Sequence, residues 1–220
     1  MLIRVCCLIC LWIGGICFAE HFEFSGNFKG WKGDFADYPV GEEDFYELSW
    51  GWENLPVPHG TLSKGLYLKG NNHSDDLFMF VKYPIKGLKP DTVYLVHFDS
   101  VLIESKAPAR SIGIGGAPGE SVFFKVGAST EEPNKVNVNG YYLLNVDKGD
   151  QAGSGTDAVV IGDIAVPGEK YQMKKLTGDH LFAVRTDKNG KLWIFLGTDS
   201  GFEGVTKIYI ARADVEVTEQ

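Results

Sequence analysis

The chain has 220 residues, a formal net charge of −8, 27 glycines and 13% aromatic residues. That acidic balance disfavours nucleic acid, since phosphate contacts need clustered Lys and Arg. Neutral polysaccharides, cations and basic proteins stay open as partners. The turn-rich, aromatic-rich composition points to an all-β protein.

Residues 1–19 read as an export signal. Arg4 supplies the basic end, residues 5–18 are apolar, and Ala19 is a small exit residue. The apolar run is short of the ~20 residues that span a bilayer as a helix. No small residue precedes Cys10 or Cys17, so a lipoprotein signal is not expected. Cleavage after Ala19 would remove Cys6, Cys7, Cys10 and Cys17, which are all the cysteines of the chain. The expected product is extracytoplasmic, secreted or periplasmic, without a transmembrane span. It must hold its fold by burial rather than by disulfides.

From residue 20 onward, short apolar segments recur between Gly, Pro, Asn and Asp. The spacing predicts strands at 21–24, 45–52, 66–68, 76–83, 92–103, 121–126, 141–146, 158–161, 171–176, 181–185, 191–196 and 207–217. Residues 92–103 (TVYLVHFDSVLI) are apolar on both faces and read as a central strand. Asp187-Lys188-Asn189-Gly190 is a tight-turn sequence, which predicts 181–186 paired to 191–196 as a hairpin. As a calcium loop the same run lacks its closing glutamate. No segment keeps a 3.6-residue period over three turns, so little helix is expected. About a dozen short strands imply an antiparallel β-sandwich of jelly-roll type, one domain over 20–220. Phe78, Phe80, Val93, Leu95, Trp193 and Phe195 are expected in the core.

Three segments carry a family resemblance. The start reads HFEFSGNFKGWKGDFADYP, the middle IKGLKPDTVYLVHFD, and the end TKIYIARADVEV. In this order and spacing they resemble the jelly-roll sandwiches of galactose-binding-like domains, which include many carbohydrate-binding modules. The resemblance implies a non-catalytic domain that binds carbohydrate or another cell-surface ligand. It also implies a structural calcium near the last strand, where those modules often carry a carboxylate. Here that stretch is Tyr209-Ile210-Ala211-Arg212-Ala213, with alanine and arginine instead.

Candidate ligand residues follow from chemistry. Sugar rings stack apolar C–H faces on aromatic rings, and their hydroxyls bond to amides and carboxylates. Trp31, Trp50 and Tyr38 lie in an aromatic segment that also holds Asp34 and Asp37. Asn72 and Asp147 come from Gly-rich polar loops. Trp50 and Trp52 flank Gly51, so in a strand they share a face. Asp75, Asp76, Asp199 and Glu203 offer hard oxygen ligands for Ca²⁺ if their loops converge. Asn72-His73-Ser74 fits an N-glycosylation acceptor.

Two other functions stay open. The first is a structural or protein-interaction domain without a sugar site. The second is a hydrolase with an unrecognised site; Ser200 in GTDSGFEG would serve one only with a histidine and a carboxylate joined to it in a pocket.

Overall fold

The computed structural model describes residues 17–220 apart from 75, together with the backbone of 5–6. Most of the expected signal, and Asp75, lie outside the described residues. Within them the secondary structure is strand throughout, with no helix.

The larger sheet holds β1 (Val5–Cys6), β2 (Cys17–Glu23), β5 (Ser49–His59), β6 (Leu62–Asn71), β8 (Val93–Ser105), β13 (Gln172–Leu176), β14 (Leu181–Arg185) and β16 (Val205–Glu219). Its axis is β16. One edge of β16 pairs with β8, and the other pairs with β6 and then β2. The far edge of β8 carries β14 and β13. Five strands form the opposing sheet, in the order β12 (Ala158–Asp163), β9 (Val122–Ser129), β15 (Leu192–Ser200), β7 (Phe78–Ile85), β3 (Lys32–Ala36). A small third sheet joins β10 (Lys135–Val138), β11 (Tyr141–Leu144) and β4 (Tyr38–Pro39). Every ladder is antiparallel.

Alternation explains the core. Val96, Phe98, Leu66 and Ile208 project from the larger sheet onto Met79, Val81, Phe124 and Ile194 of the five-stranded one. In the first half of β8 the buried residues are Tyr94, Val96 and Phe98, whereas the expected Val93 and Leu95 are half-buried. His97 and Asp99 share the parity of Val93 and Leu95, and these polar residues mark that parity as the outward one. Phe78, Phe80, Trp193 and Phe195 are buried as expected. Phe78, Phe80 and Phe195, however, lie on the outer face of the five-stranded sheet. There Val146 and Leu144, from the segment after the β10–β11 hairpin and from β11, cover them.

The 187–190 turn forms, with Asp187 N bonding to Lys191 O at 2.8 Å and Gly190 at φ 69°. It does not make the expected hairpin. β14 pairs with β8 in one sheet, while β15 pairs with β7 and β9 in the other. The turn is local chemistry, and both strands find longer partners elsewhere. It therefore carries the chain across the sandwich.

Candidate functional site

The covered outer face of the five-stranded sheet holds an unusual charge cluster. In β9, Val122, Phe124 and Val126 point into the core, so Lys125 points outward. Opposite it in register stands Gly197, and Asp199 follows two residues on along β15. Lys125 Nζ reaches Asp199 Oδ2 at 2.7 Å, and both side chains are fully buried. The same ammonium donates to the carbonyls of Lys148 at 2.8 Å and Gly153 at 2.9 Å. Lys148 comes down from the loop after β11 and meets Asp199 Oδ2 at 2.8 Å and Asp37 Oδ2 at 2.9 Å. Asp37, just past β3, sits at φ 64°, a left-handed conformation that Asp tolerates better than most residues. Its backbone N donates to Tyr142 O, which fixes β3 against the small sheet.

Asp76 completes the group. Asp37, Asp76 and Asp199 each present a carboxylate oxygen, all within 4.8 Å of one another, close enough to hold a metal ion together. Two ammonium groups already lie on these oxygens, with Lys148 bridging two of the three carboxylates. The charges shape each other. Burial, then the Asp199 carboxylate, pushes Asp76 up to about 8, so it keeps a proton near neutrality. Burial raises Asp37 as well, against the pull of Lys148. Burial works against the charge on Lys148, but the carboxylates of Asp199, Asp37 and Asp76 more than offset it and hold that ammonium charged. Lys125 is lowered by burial, with Asp199 opposing.

Above the cluster opens a cleft of about 420 Å³. Asp37, Asp76, Leu143, Asn145, Lys148 and Asp150 contribute to its lining. Asp147 also borders it, yet its carboxylate is committed to its own loop. It accepts from Gly149 N at 3.0 Å and from Thr156 N at 2.9 Å and Oγ1 at 3.1 Å. Those backbone donors hold the Asp147 carboxyl below the usual carboxylate range. Beside the cleft, Val136 pairs with Leu143 and Val138 with Tyr141. All four lie on one face of the hairpin and are exposed.

Other sequence candidates fall elsewhere. Trp31 is 4% exposed and sits edge-on against Phe22 and Phe24, at 5.1 and 5.5 Å between ring centroids. It is core, not a platform. Tyr38 is fully buried between Tyr46 and Tyr142. Trp50 is half-buried and lies over Gly33, where an added Cβ would meet its ring at 2.3 Å. It closes the sandwich between β5 and β3. Trp52 shares that face as expected, and its indole N–H donates to Phe24 O at 2.6 Å. The Asn72 side chain is buried and its amide donates to Ser200 O at 2.9 Å and Phe202 O at 3.0 Å. That amide staples the 200–204 loop and is closed to glycosylation in the folded chain. Of the expected calcium ligands, Asp76 and Asp199 converge. Glu203 lies outside their group, and its backbone N bonds to Ile114 O. Ser200 is buried and its hydroxyl donates to Phe202 O at 2.9 Å, so it lacks the histidine contact a nucleophile needs.

Sequence reasoning assigned no role to Lys125 or Lys148, and noted Asp37 only as a polar neighbour of the aromatic segment. One signal was present: SVFFKV places a lysine inside an apolar strand, and a buried lysine requires a partner.

No protein-family model matches this sequence, and no curated protein does. Several solved structures are similar to it. TmCBM61, solved with β-1,4-galactotriose, shares 8% identity over 89% of this chain and 92% of its own, with a TM-score of 0.38. TmCBM27, a mannan-recognising module, shares 13% over 90% and 95%, with a TM-score of 0.40. The family 11 carbohydrate-binding module of a Clostridium thermocellum cellulase shares 9% over 92% and 95%, with a TM-score of 0.38. Among the described residues, no helix is long and apolar enough to cross a membrane.

Proposed function

We propose that the chain is an exported, non-catalytic β-sandwich that binds carbohydrate, and that the cleft beside the β10–β11 hairpin is its glycan site. One observation carries this reading. The cleft sets exposed apolar Leu143 against Asp37, Asp76, Asn145 and Asp150, and Tyr141 extends the apolar edge. A pyranose needs that pairing, an apolar surface for its C–H face and polar groups for its hydroxyls. The volume falls in the range of roughly 300–1,000 Å³ common to small-ligand clefts. Removal of residues 1–19 would leave Glu20, His21, Phe22 and Glu23 paired to β16, so the edge of the larger sheet survives export.

The test is titration calorimetry against a broad glycan panel, with Tyr141→Ala and Asp150→Ala as variants. A positive glycan is expected to lose about tenfold or more in affinity with either variant, at a nearly unchanged melting temperature. A panel without any binder removes the reading.

Calcium is a separate matter. Lys148 already bridges two carboxylates of the aspartate triad, Asp37 and Asp199, and a divalent ion there would have to displace a buried ammonium. The melting temperature is expected to change by less than about 1 °C between excess chelator and millimolar calcium. A clear rise with calcium would show that the ion wins this competition.

A further inference from the structure

We infer that the glycan of this site carries an aliphatic chain, so that the ligand is a neutral glycolipid. Its sugar would sit in the cleft and its hydrocarbon on the outer face of the β10–β11 hairpin; this rests on the glycan reading above. Val136 stands directly opposite Leu143, and Val138 directly opposite Tyr141, so the four side chains share one face. They are 40, 39, 43 and 42% exposed. Tyr141 is in turn opposite Pro39 of β4, which carries the same face onto the third strand of the small sheet. Lys135 and Asn137 have the other parity. The Lys135 ammonium lies 4.4 Å over the ring of Tyr142, which also has that parity. β10 and β11 therefore put no charged group on the outer face, and the Tyr141 hydroxyl is their one polar side-chain group there.

Sugar and hydrocarbon need different surfaces. A pyranose stacks its C–H face on a flat ring, and Tyr141 is the one ring among these five residues. Branched aliphatic side chains instead pack many small contacts against a run of methylenes. A contiguous apolar patch left open to water marks an interaction surface. This patch continues the cleft without a break, because Leu143 belongs to both. Its two cross-strand pairs stand about 7 Å apart along the strands, room for several methylenes. Charge decides the head group. Asp37, Asp76, Asp147 and Asp150 border the cleft. Lys148, the cation among its lining residues, is already paired with Asp37 and Asp199. A phosphate or sulfate head would meet those aspartates with no cation to spare, so the head that fits is an uncharged sugar.

Calorimetry would compare methyl and octyl glycosides of the panel glycans, below their micelle concentrations, with octanol and octyl phosphate as ligands that lack a sugar. The octyl glycoside of a bound glycan is expected to bind about tenfold or more tightly than the methyl glycoside. Val136→Ser and Val138→Ser, both at exposed positions, should each remove about threefold or more of that gain. Neither should change the affinity for the methyl glycoside or the melting temperature. Equal binding of methyl and octyl glycosides overturns the inference and leaves the glycan reading standing. An octyl gain that survives both serine variants overturns it as well, because the chain then lies elsewhere. Octanol or octyl phosphate binding as tightly as the octyl glycoside also overturns it, in favour of a plain apolar surface. If no glycoside of either kind binds, both readings fall.

Discussion

Lys125→Met is expected to destabilise the protein by about 3–5 kcal/mol, the usual cost of removing one member of a buried ion pair. The ammonium meets Asp199 at 2.7 Å with both side chains fully buried. Its loss leaves Asp199 with Lys148 as its remaining cationic partner. It also strands the carbonyls of Lys148 and Gly153, which Lys125 ties to the sheet. Methionine approximates the volume, so most of the loss is electrostatic rather than a cavity. Because those carbonyls belong to the loop that walls the cleft, the effect should have a local signature. Amide exchange in 147–156 is expected to accelerate beyond the global change. Denaturant titration gives the free energy, and hydrogen exchange gives its location. A cost below about 1 kcal/mol, with exchange in 147–156 unchanged, would mean the pair is not needed to hold the loop.

The all-β class and most strand positions were legible because period-two alternation and Gly/Asn/Asp punctuation are local properties; the 45–52 segment instead turns first and its strand runs Ser49–His59, and β3 and β10 were not anticipated. Pairing was less legible. Asp187-Lys188-Asn189-Gly190 encodes a turn, but which sheet receives each flanking strand depends on β7, β8 and β9, distant in sequence. The parity of β8 was misread because Val93 and Leu95 are apolar, although His97 and Asp99 on the same parity mark the outward face. In the site, convergence of Asp76 with Asp199 was a conditional expectation that the fold meets, while Asp37 and both lysines arrived from elements no short motif connects. Lys125 alone announced itself, as a charge in an apolar strand. The tryptophans misled because a Trp beside glycines and aspartates reads the same whether it faces a ligand or a core.

Trp31 separates those two cases by experiment. Truncation to alanine is expected to cost about 3–5 kcal/mol, as for a large aromatic removed from a packed interior. The ring is 4% exposed, touches Phe22 and Phe24 edge-on, and lies 5.2 Å from the ring of Tyr83. Three aromatic pairs lose a partner at once, each worth about 0.5–1.5 kcal/mol beyond its buried area. Phe22 and Phe24 lie at the C-terminal end of the stretch that holds β2 on β16, so the loss should loosen that edge of the larger sheet as well. Trp50→Ala should cost less, about 1–3 kcal/mol, since that ring is half-buried and closes a rim rather than filling the centre. Chemical denaturation of the two variants gives the order. Glycan affinity measured on the same proteins, at temperatures where both stay folded, should be unchanged in each, because neither ring lines the cleft. Trp31→Ala that stays as stable as the parent and loses glycan binding would return the site to the aromatic segment and away from the β10–β11 hairpin.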